Sequence, residues 1–388
     1  MDRFSAVERA LRGAPPHALL EAVRDALSTH YTAVSVDLLM ADYATTMLQP
    51  VSTLPYTGDP VTVHGSAPGR AFGSQRPHVE SRPHSTDVRA HFPVSVRGDR
   101  IGVLTVRLPR DGYTPEVERE LQDVAEVLGH EIVVAERDTD LYVQARRASR
   151  LTLAAEMQWQ LLPGRACSRP EYEIGAQLEP AYAIYGDNFD WSTSADRLTL
   201  TVTNGMGEGI EAALLTNLAI NALRNARRAG LSLADQAFLA DQAIYGHYRG
   251  SVHLSVLLLS FDLATGEAEV VDAGSPKMWR LRRGKAEPVE LEAQLPLGMF
   301  EDTIYTAQSF HVLPGDRLFF LSDGVYDVAS PAGERYSEKA LTRAMAATRL
   351  LPPSQVPHAV LQELAGHRGP IDPDDDAMVV CLDWHGRQ

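Results

Sequence analysis

Four short clusters in the C-terminal half of the sequence carry carboxylates or amides beside glycines. They are Tyr185-Gly186-Asp187-Asn188-Phe189-Asp190, Thr203-Asn204-Gly205-Met206-Gly207-Glu208-Gly209, Leu321-Ser322-Asp323-Gly324-Val325-Tyr326-Asp327 and Asp372-Pro373-Asp374-Asp375-Asp376. Most adjoin a strongly apolar run that reads as a strand. Side-chain oxygens at the ends of separate strands can converge on one sheet edge. Hard divalent cations take such oxygen ligands, and two of them side by side activate water for hydrolysis. A glycine next to the ligand lets the backbone approach and offer its carbonyl. Each cluster alone is also an ordinary turn; the four together, each where the chain meets or leaves a strand, point to a cation site.

Other candidate chemistries are weaker. Gly205-Met206-Gly207-Glu208-Gly209 is glycine-rich before a helix but lacks the Gly-Lys-Ser/Thr of a phosphate loop. His78, His84 and His91 are spaced six and seven apart, which fits no common zinc pattern and reads as a surface loop. Ser322 has no evident triad partners. Cys167 and Cys381 are the only cysteines, which excludes a disulfide framework, and Cys381 reads as core. The net charge is −15, of which −11 falls after residue 160. Surplus acid disfavours nucleic acid and anionic membranes as partners. MDRFSAVERALRG is charged and amphipathic rather than a leader, and no apolar run approaches a membrane span. A cytoplasmic protein is therefore expected.

At 388 residues, two domains are expected. Residues 1–140 read as an α+β domain: helices first, an antiparallel sheet with a hairpin at Arg97–Arg100, and a helix last. Thr114-Pro115-Glu116 opens that helix with a hydroxyl cap, a first-position proline and acid in the first turn. Its apolar stripe falls at 117, 121, 124, 128, 132 and 135. Helical propensity continues to Leu162, so 141–163 reads as a linker helix, either a dimerising seam or part of two helices packed on their own domains. Residues 164–388 alternate hairpin-spaced strands with clustered helices at 209–229, 233–247, 337–349 and 357–367. That pattern argues α+β with antiparallel sheets.

From about Ala154 to Leu382 the sequence resembles the metal-dependent protein phosphatases (PPM), in their SpoIIE/RsbU-like branch. The carriers are AAEMQWQLLP, PAYAIYGDNFD, TNGMGEGIEAALL, VDAGSPKMW, LPLGMF, LPGDRLFFLSDGVYD and DPDDDAMVV, in family order. The resemblance implies a β-sandwich flanked by helices, holding two Mn²⁺ or Mg²⁺ at one end. Carried over by position, Asp187 and Asp323 would sit at the metals, and Gly205 would give its backbone carbonyl. In the closing motif Asp374 is the expected ligand, with Asp375 as the alternative. The implied substrate is a phosphoserine or phosphothreonine protein, of the anti-anti-sigma type by branch analogy, hydrolysed by a two-metal-activated water.

The sequence departs from the family at Asn204, where the resemblance calls for a metal-bridging Asp. A neutral amide oxygen replaces a carboxylate. Two readings follow: an active but metal-weak serine/threonine phosphatase, or a pseudophosphatase that binds without turnover. Asp190 is a substitute ligand only if a bulge turns it to the side of Asp187. Glu208 stands where the family often has His, at a helix start that favours acid anyway. The N-terminal part resembles a GAF-type sensor through PGRAF (68–72) and FPVSVRGDRIGVLTV (92–106). That resemblance implies a sensor acting on the phosphatase part, in a homodimer joined through the linker helix.

Overall fold

The computed structural model describes residues 2–387 except 52–58, 81–84, 180–184, 338, 371, 372 and 374. It divides into two units, Met1–Arg150 and Leu151–Gln388.

In the first unit, helices α1 (Arg3–Gly13) and α2 (Leu19–Tyr31) precede a six-stranded sheet. Its strands are β1 (Ser35–Ala41), β2 (Met47–Pro50), β3 (Val61–Thr62), β4 (His78–Glu80), β5 (Asp87–Val96) and β6 (Asp99–Pro109). All pairs are antiparallel, in the order β3-β2-β1-β6-β5-β4. Alternation gives the sheet two apolar faces. Val88, Ala90, Phe92 and Val94 of β5 face the main core with α1, α2 and α4 (Pro115–Ala135). Leu39, Ala41 and Val103 face the other way, against Phe72 of α3 (Ala67–Ser74).

Helix α4 begins where its capping residues place it: the Thr114 hydroxyl accepts the Val117 N–H at 3.3 Å. The stripe Val117, Leu121, Val124, Leu128, Ile132 and Ala135 is entirely buried in this unit's own core. It is therefore not a free dimer seam, and the feature that motivated the homodimer is consumed within one unit. The continuous linker helix is also corrected. Helix α4 stops at Ala135, α5 spans only Leu141–Ala145, and α6 spans Leu153–Leu161. Side-chain bonds to the backbone compete with helix continuation. The Thr139 hydroxyl accepts the Leu141 N–H, and the Thr152 hydroxyl caps α6 at the Ala155 N–H. Fully buried Tyr142 ties α5 into the first unit, donating to the Pro16 carbonyl at 2.9 Å.

The histidines are corrected too. His78 and His91 are not in a loop but face each other across β4 and β5; His84 lies outside the described residues. His91 is 1% exposed, with Nδ1 2.9 Å from Thr105 Oγ1 and Nε2 3.4 Å from Glu80 Oε2.

The second unit stacks two antiparallel sheets. One has β9 (Asn188–Thr193), β10 (Arg197–Asn204), β11 (Ser255–Asp262), β12 (Glu267–Ala273) and β15 (Gln308–His311), in the order β15-β12-β11-β10-β9. The other has β7 (Ala166–Arg169), β8 (Tyr172–Glu179), β13 (Lys277–Arg282), β14 (Lys285–Pro288), β16 (Arg317–Leu321) and β17 (Ala377–Trp384), in the order β14-β13-β16-β17-β8-β7. Leu257, Leu259 and Phe261 alternate with Val256 and Leu258, so each strand feeds two apolar layers. Inside, Phe261 of one sheet meets Trp384 of the other with ring centroids 5.8 Å apart. Outside, α7 (Gly209–Arg228) and α8 (Leu233–Tyr248) cover the first sheet through Leu215, Ala219, Leu223 and Ile244. On the second sheet, α10 (Ala340–Ala347) and α11 (Val356–Arg368) pack Leu341, Met345, Val360 and Leu364. The short helix α9 (Asp323–Tyr326) follows β16 directly. This is the expected α+β sandwich flanked by helices.

Candidate metal centre

The topology brings the strand ends that carry the acidic clusters to one edge. Asn204, last in β10, pairs with Ser255, first in β11. Leu321, last in β16, pairs with Val379 near the start of β17. Asp187 immediately precedes β9, and Asp375 and Asp376 immediately precede β17. Around this edge lies an open cleft of about 570 Å³, lined in part by Asn204, Gly205, Met206, Glu208, Asp323 and Asp375.

Two glycines let the clusters touch. A Cβ on Gly324 would stand 1.8 Å from the Asp376 carbonyl oxygen, so this turn packs directly on the chain before β17. A Cβ on Gly205 would stand 2.7 Å from the Gly186 carbonyl oxygen. Thr216 of α7 donates to that same carbonyl at 2.7 Å, which anchors the Gly186 turn to the helix. Ser322 closes the base: its N–H donates to the Met378 carbonyl, and its hydroxyl accepts the Met378 N–H at 3.0 Å.

Asp376 is the residue that the sequence reading missed. It is fully buried, and its Oδ2 accepts the N–H groups of Tyr185, Gly186 and Asp187 at 2.7, 2.9 and 3.1 Å. One carboxylate thus fixes the backbone of the first half of the first cluster, residues 185–187. Burial pushes its carboxyl up to about 7, while the three N–H donors oppose that rise. The signal was its place as the last acid before β17, since the residue touching the strand is the one the sheet orients.

Asp187 is 2% exposed. Burial first, then the charge of Asp376, hold its carboxyl well above the usual range, and Asp375 and Asp323 add to the effect. The charges of Asp376, Asp375 and Asp323 thus all reach Asp187 at this edge. Asp187 Oδ2 and Asp376 Oδ1 are buried without a hydrogen-bond partner among the described residues. Buried carboxyl oxygens in this condition suit a bound cation, whose charge would restore their ionised form. Among the described residues no group of three or more His, Cys, Asp or Glu closes into a ready-made cluster. Asp374, the expected ligand of the closing motif, lies outside the described residues. Its alternative, Asp375, lines the cleft and accepts the Asp376 N–H at 2.8 Å.

Asn204 reaches the edge but turns its nitrogen, not its oxygen, to the acid. Its Nδ2 donates to Asp323 Oδ1, which also accepts the Gly324 N–H at 3.0 Å. The flipped amide would set two acceptors against each other, so this pairing fixes the orientation. Ligation through the amide oxygen requires the side chain to rotate away from Asp323. Asp190 is no substitute ligand: it is 3% exposed, held by Arg224 at 2.8 Å and Arg227 at 2.9 Å, both from α7. Its carboxylate is already paired within the fold. Glu208 is exposed at the position just before α7, makes no capping hydrogen bond through its side chain and lines the cleft. His253, Ser255 and Ser275 also line the cleft without having stood out in the sequence.

Comparison with known proteins agrees with this fold. Residues 194–385 match the sequence profile of the family described as Stage II sporulation protein E (SpoIIE). Phosphoserine phosphatase RsbU of Bacillus subtilis (strain 168) is 22% identical over 208 residues, 53% of this chain and 62% of that relative. The chain thus spans about three fifths of RsbU. The SiaA-PP2C domain of Pseudomonas aeruginosa aligns over 60% of this chain and 93% of its own, with 20% identity and a TM-score of 0.51. The PP2C phosphatase domain of SpoIIE from Bacillus subtilis, with a fragment of its regulatory domain, aligns over 80% of this chain and 82% of its own. Its identity is 14% and its TM-score 0.50. Both structures share the fold. No helix among the described residues is long and apolar enough to cross a membrane.

Proposed function

We propose, from the match of residues 194–385 to the profile of the Stage II sporulation protein E (SpoIIE) family, that this chain is a metal-dependent protein serine/threonine phosphatase. The observation that carries the reading is the pair of buried, unpaired oxygens on Asp187 and Asp376 at the sandwich edge whose cleft Asp323 and Asp375 line. Mn²⁺ or Mg²⁺ bound there supplies a nucleophilic water and positive charge for the phosphoryl oxygens. Asp187, Asp323 and Asp375 would hold the ions, together with Asp374 and the Gly205 carbonyl. Asp376 orients Asp187 through the backbone of 185–187. The open cleft of about 570 Å³ leaves room for a phosphoserine or phosphothreonine side chain. Asn204 replaces a bridging carboxylate with a donor to Asp323, so the site holds metal weakly and turnover needs high Mn²⁺.

The unit at 1–150 serves as the regulatory part, with the ligand class of a GAF-like sensor open. The phosphorylated partner is a regulator of the kind that RsbU-type enzymes serve, an anti-anti-sigma-type protein, and the site of action is the cytoplasm. The reading is tested with phosphoserine, phosphothreonine and phosphotyrosine peptides. Phosphate release from the first two, abolished by a chelator and restored by excess Mn²⁺, is expected. Release that persists under chelation contradicts the metal-dependent reading, and none at any Mn²⁺ or Mg²⁺ level leaves the pseudophosphatase.

A further inference from the structure

The outward side of α7 beside the cleft is apolar where a surface helix normally presents polar residues. Met206, in the loop leading into the helix, is 46% exposed; Ile210 is 50% and Leu214 44% exposed. They follow one another in steps of four, while Ala212, Ala213, Leu215 and Thr216 fill the buried side. Steps of four keep Ile210 and Leu214 on one face. Farther along, Leu218 and Ala222 of the same row are half-buried against the unit's own core, and exposed Asn221 beside them donates to the Asn217 carbonyl at 2.9 Å. The exposed apolar run is therefore confined to the end of the helix nearest the cleft. Met206 itself lines the cleft with Asn204 and Asp323, so the two surfaces are continuous.

Three half-exposed side chains amount to a few hundred Å², far short of the ~800 Å² that each partner of a stable complex buries. The patch suits a transient contact rather than a permanent dimer. Exposed Glu208 and Glu211 alternate with the apolar positions. A partner that covers the patch meets acid beside apolar surface and complements it with base.

We propose that Met206, Ile210 and Leu214 form a docking lip that selects the substrate phosphoprotein. They would contact a segment whose phosphoserine or phosphothreonine is flanked by apolar side chains and by Lys or Arg. The proposal rests on the phosphatase reading above and names its substrate class. Two fluorescent phosphoserine peptides serve as probes, one with Leu and Arg flanks and one with Gly and Asp flanks. The double variant Ile210→Ser/Leu214→Ser is compared with wild type. Wild type is expected to prefer the Leu/Arg peptide in kcat/KM. In the variant that preference should fall by about tenfold, chiefly through KM, with hydrolysis of para-nitrophenyl phosphate unchanged.

Equal treatment of the two peptides by wild type, or an unchanged preference in the variant, overturns the docking lip. A wild type that hydrolyses neither peptides nor para-nitrophenyl phosphate overturns the phosphatase reading instead. The lip is then judged by anisotropy of the Leu/Arg peptide: a Kd weakened about tenfold in the variant upholds it, and an equal Kd removes it. A wild-type dimer by light scattering that the variant dissolves assigns the patch to a second copy and also overturns the proposal.

Discussion

Asn204→Asp is expected to tighten Mn²⁺ binding by on the order of 10- to 100-fold and to lower the Mn²⁺ needed for half-maximal turnover in proportion. The substitution adds a charged ligand at the edge where Asp187, Asp323, Asp375 and Asp376 already meet. It also removes the donor that pairs with Asp323 Oδ1. In chelator-treated protein the new carboxylate therefore faces an acid instead of bonding to it. Loss of that bond should destabilise the metal-free C-terminal unit by about 1–3 kcal/mol. The two effects have opposite signs and are read separately, by calorimetric Mn²⁺ titration and by urea unfolding in chelator. Equal Mn²⁺ affinity in the two proteins would show that Asn204 does not limit the site.

The second large effect is structural. Asp376→Ala removes the single acceptor shared by the N–H groups of Tyr185, Gly186 and Asp187. Asp376 is fully buried, so water does not replace it readily. Three donors, those of Gly186 and Asp187 buried, lose a charge-assisted partner, and a loss of about 3–5 kcal/mol is expected. Asp376→Asn keeps one oxygen acceptor in nearly the same shape and should cost about 1 kcal/mol. Urea unfolding in the presence of chelator separates this from any metal effect. If Ala and Asn cost the same, the carboxylate is not what holds the first cluster.

The architecture of the second unit was legible because its strands are apolar and its helices periodic. LTLTVTN, HLSVLLLSFDL and AMVVCLDW became β10, β11 and β17, and 209–229 and 233–247 became α7 and α8 nearly to the residue. Strands with mixed composition were not legible: β9 (NFDWST) looks like a turn, because Asn188 and Asp190 are polar yet buried. Asp190 is buried because Arg224 and Arg227, thirty-odd residues away, reach it. No local pattern encodes such a contact. The linker failed for a related reason. Helical propensity runs through 136–152, but side-chain bonds from Thr139 and Thr152 and the burial of Tyr142 end and restart the helix. The stripe on α4 looked the same whether it faced a second copy or its own sheet; only the packing tells which.

In the site, the positions of Asp187, Asn204 and Asp323 at strand ends followed from sequence, but the roles did not. The tract of consecutive acids before β17 offers several candidates, and only the tertiary contacts show that Asp376 turns inward to the backbone of 185–187 while Asp375 lines the cleft. The orientation of the Asn204 amide is likewise a property of its neighbour, Asp323.

The most direct test of the account compares phosphate release from a phosphoserine peptide by wild type and by Asp323→Ala across a Mn²⁺ titration. Asp323 lines the cleft at the end of β16 and is not needed to fill the core. The account predicts turnover in wild type that rises with Mn²⁺ and is lost in Asp323→Ala, with both proteins folded. Wild-type-like turnover in Asp323→Ala, or a wild type silent at every Mn²⁺ concentration, would contradict it.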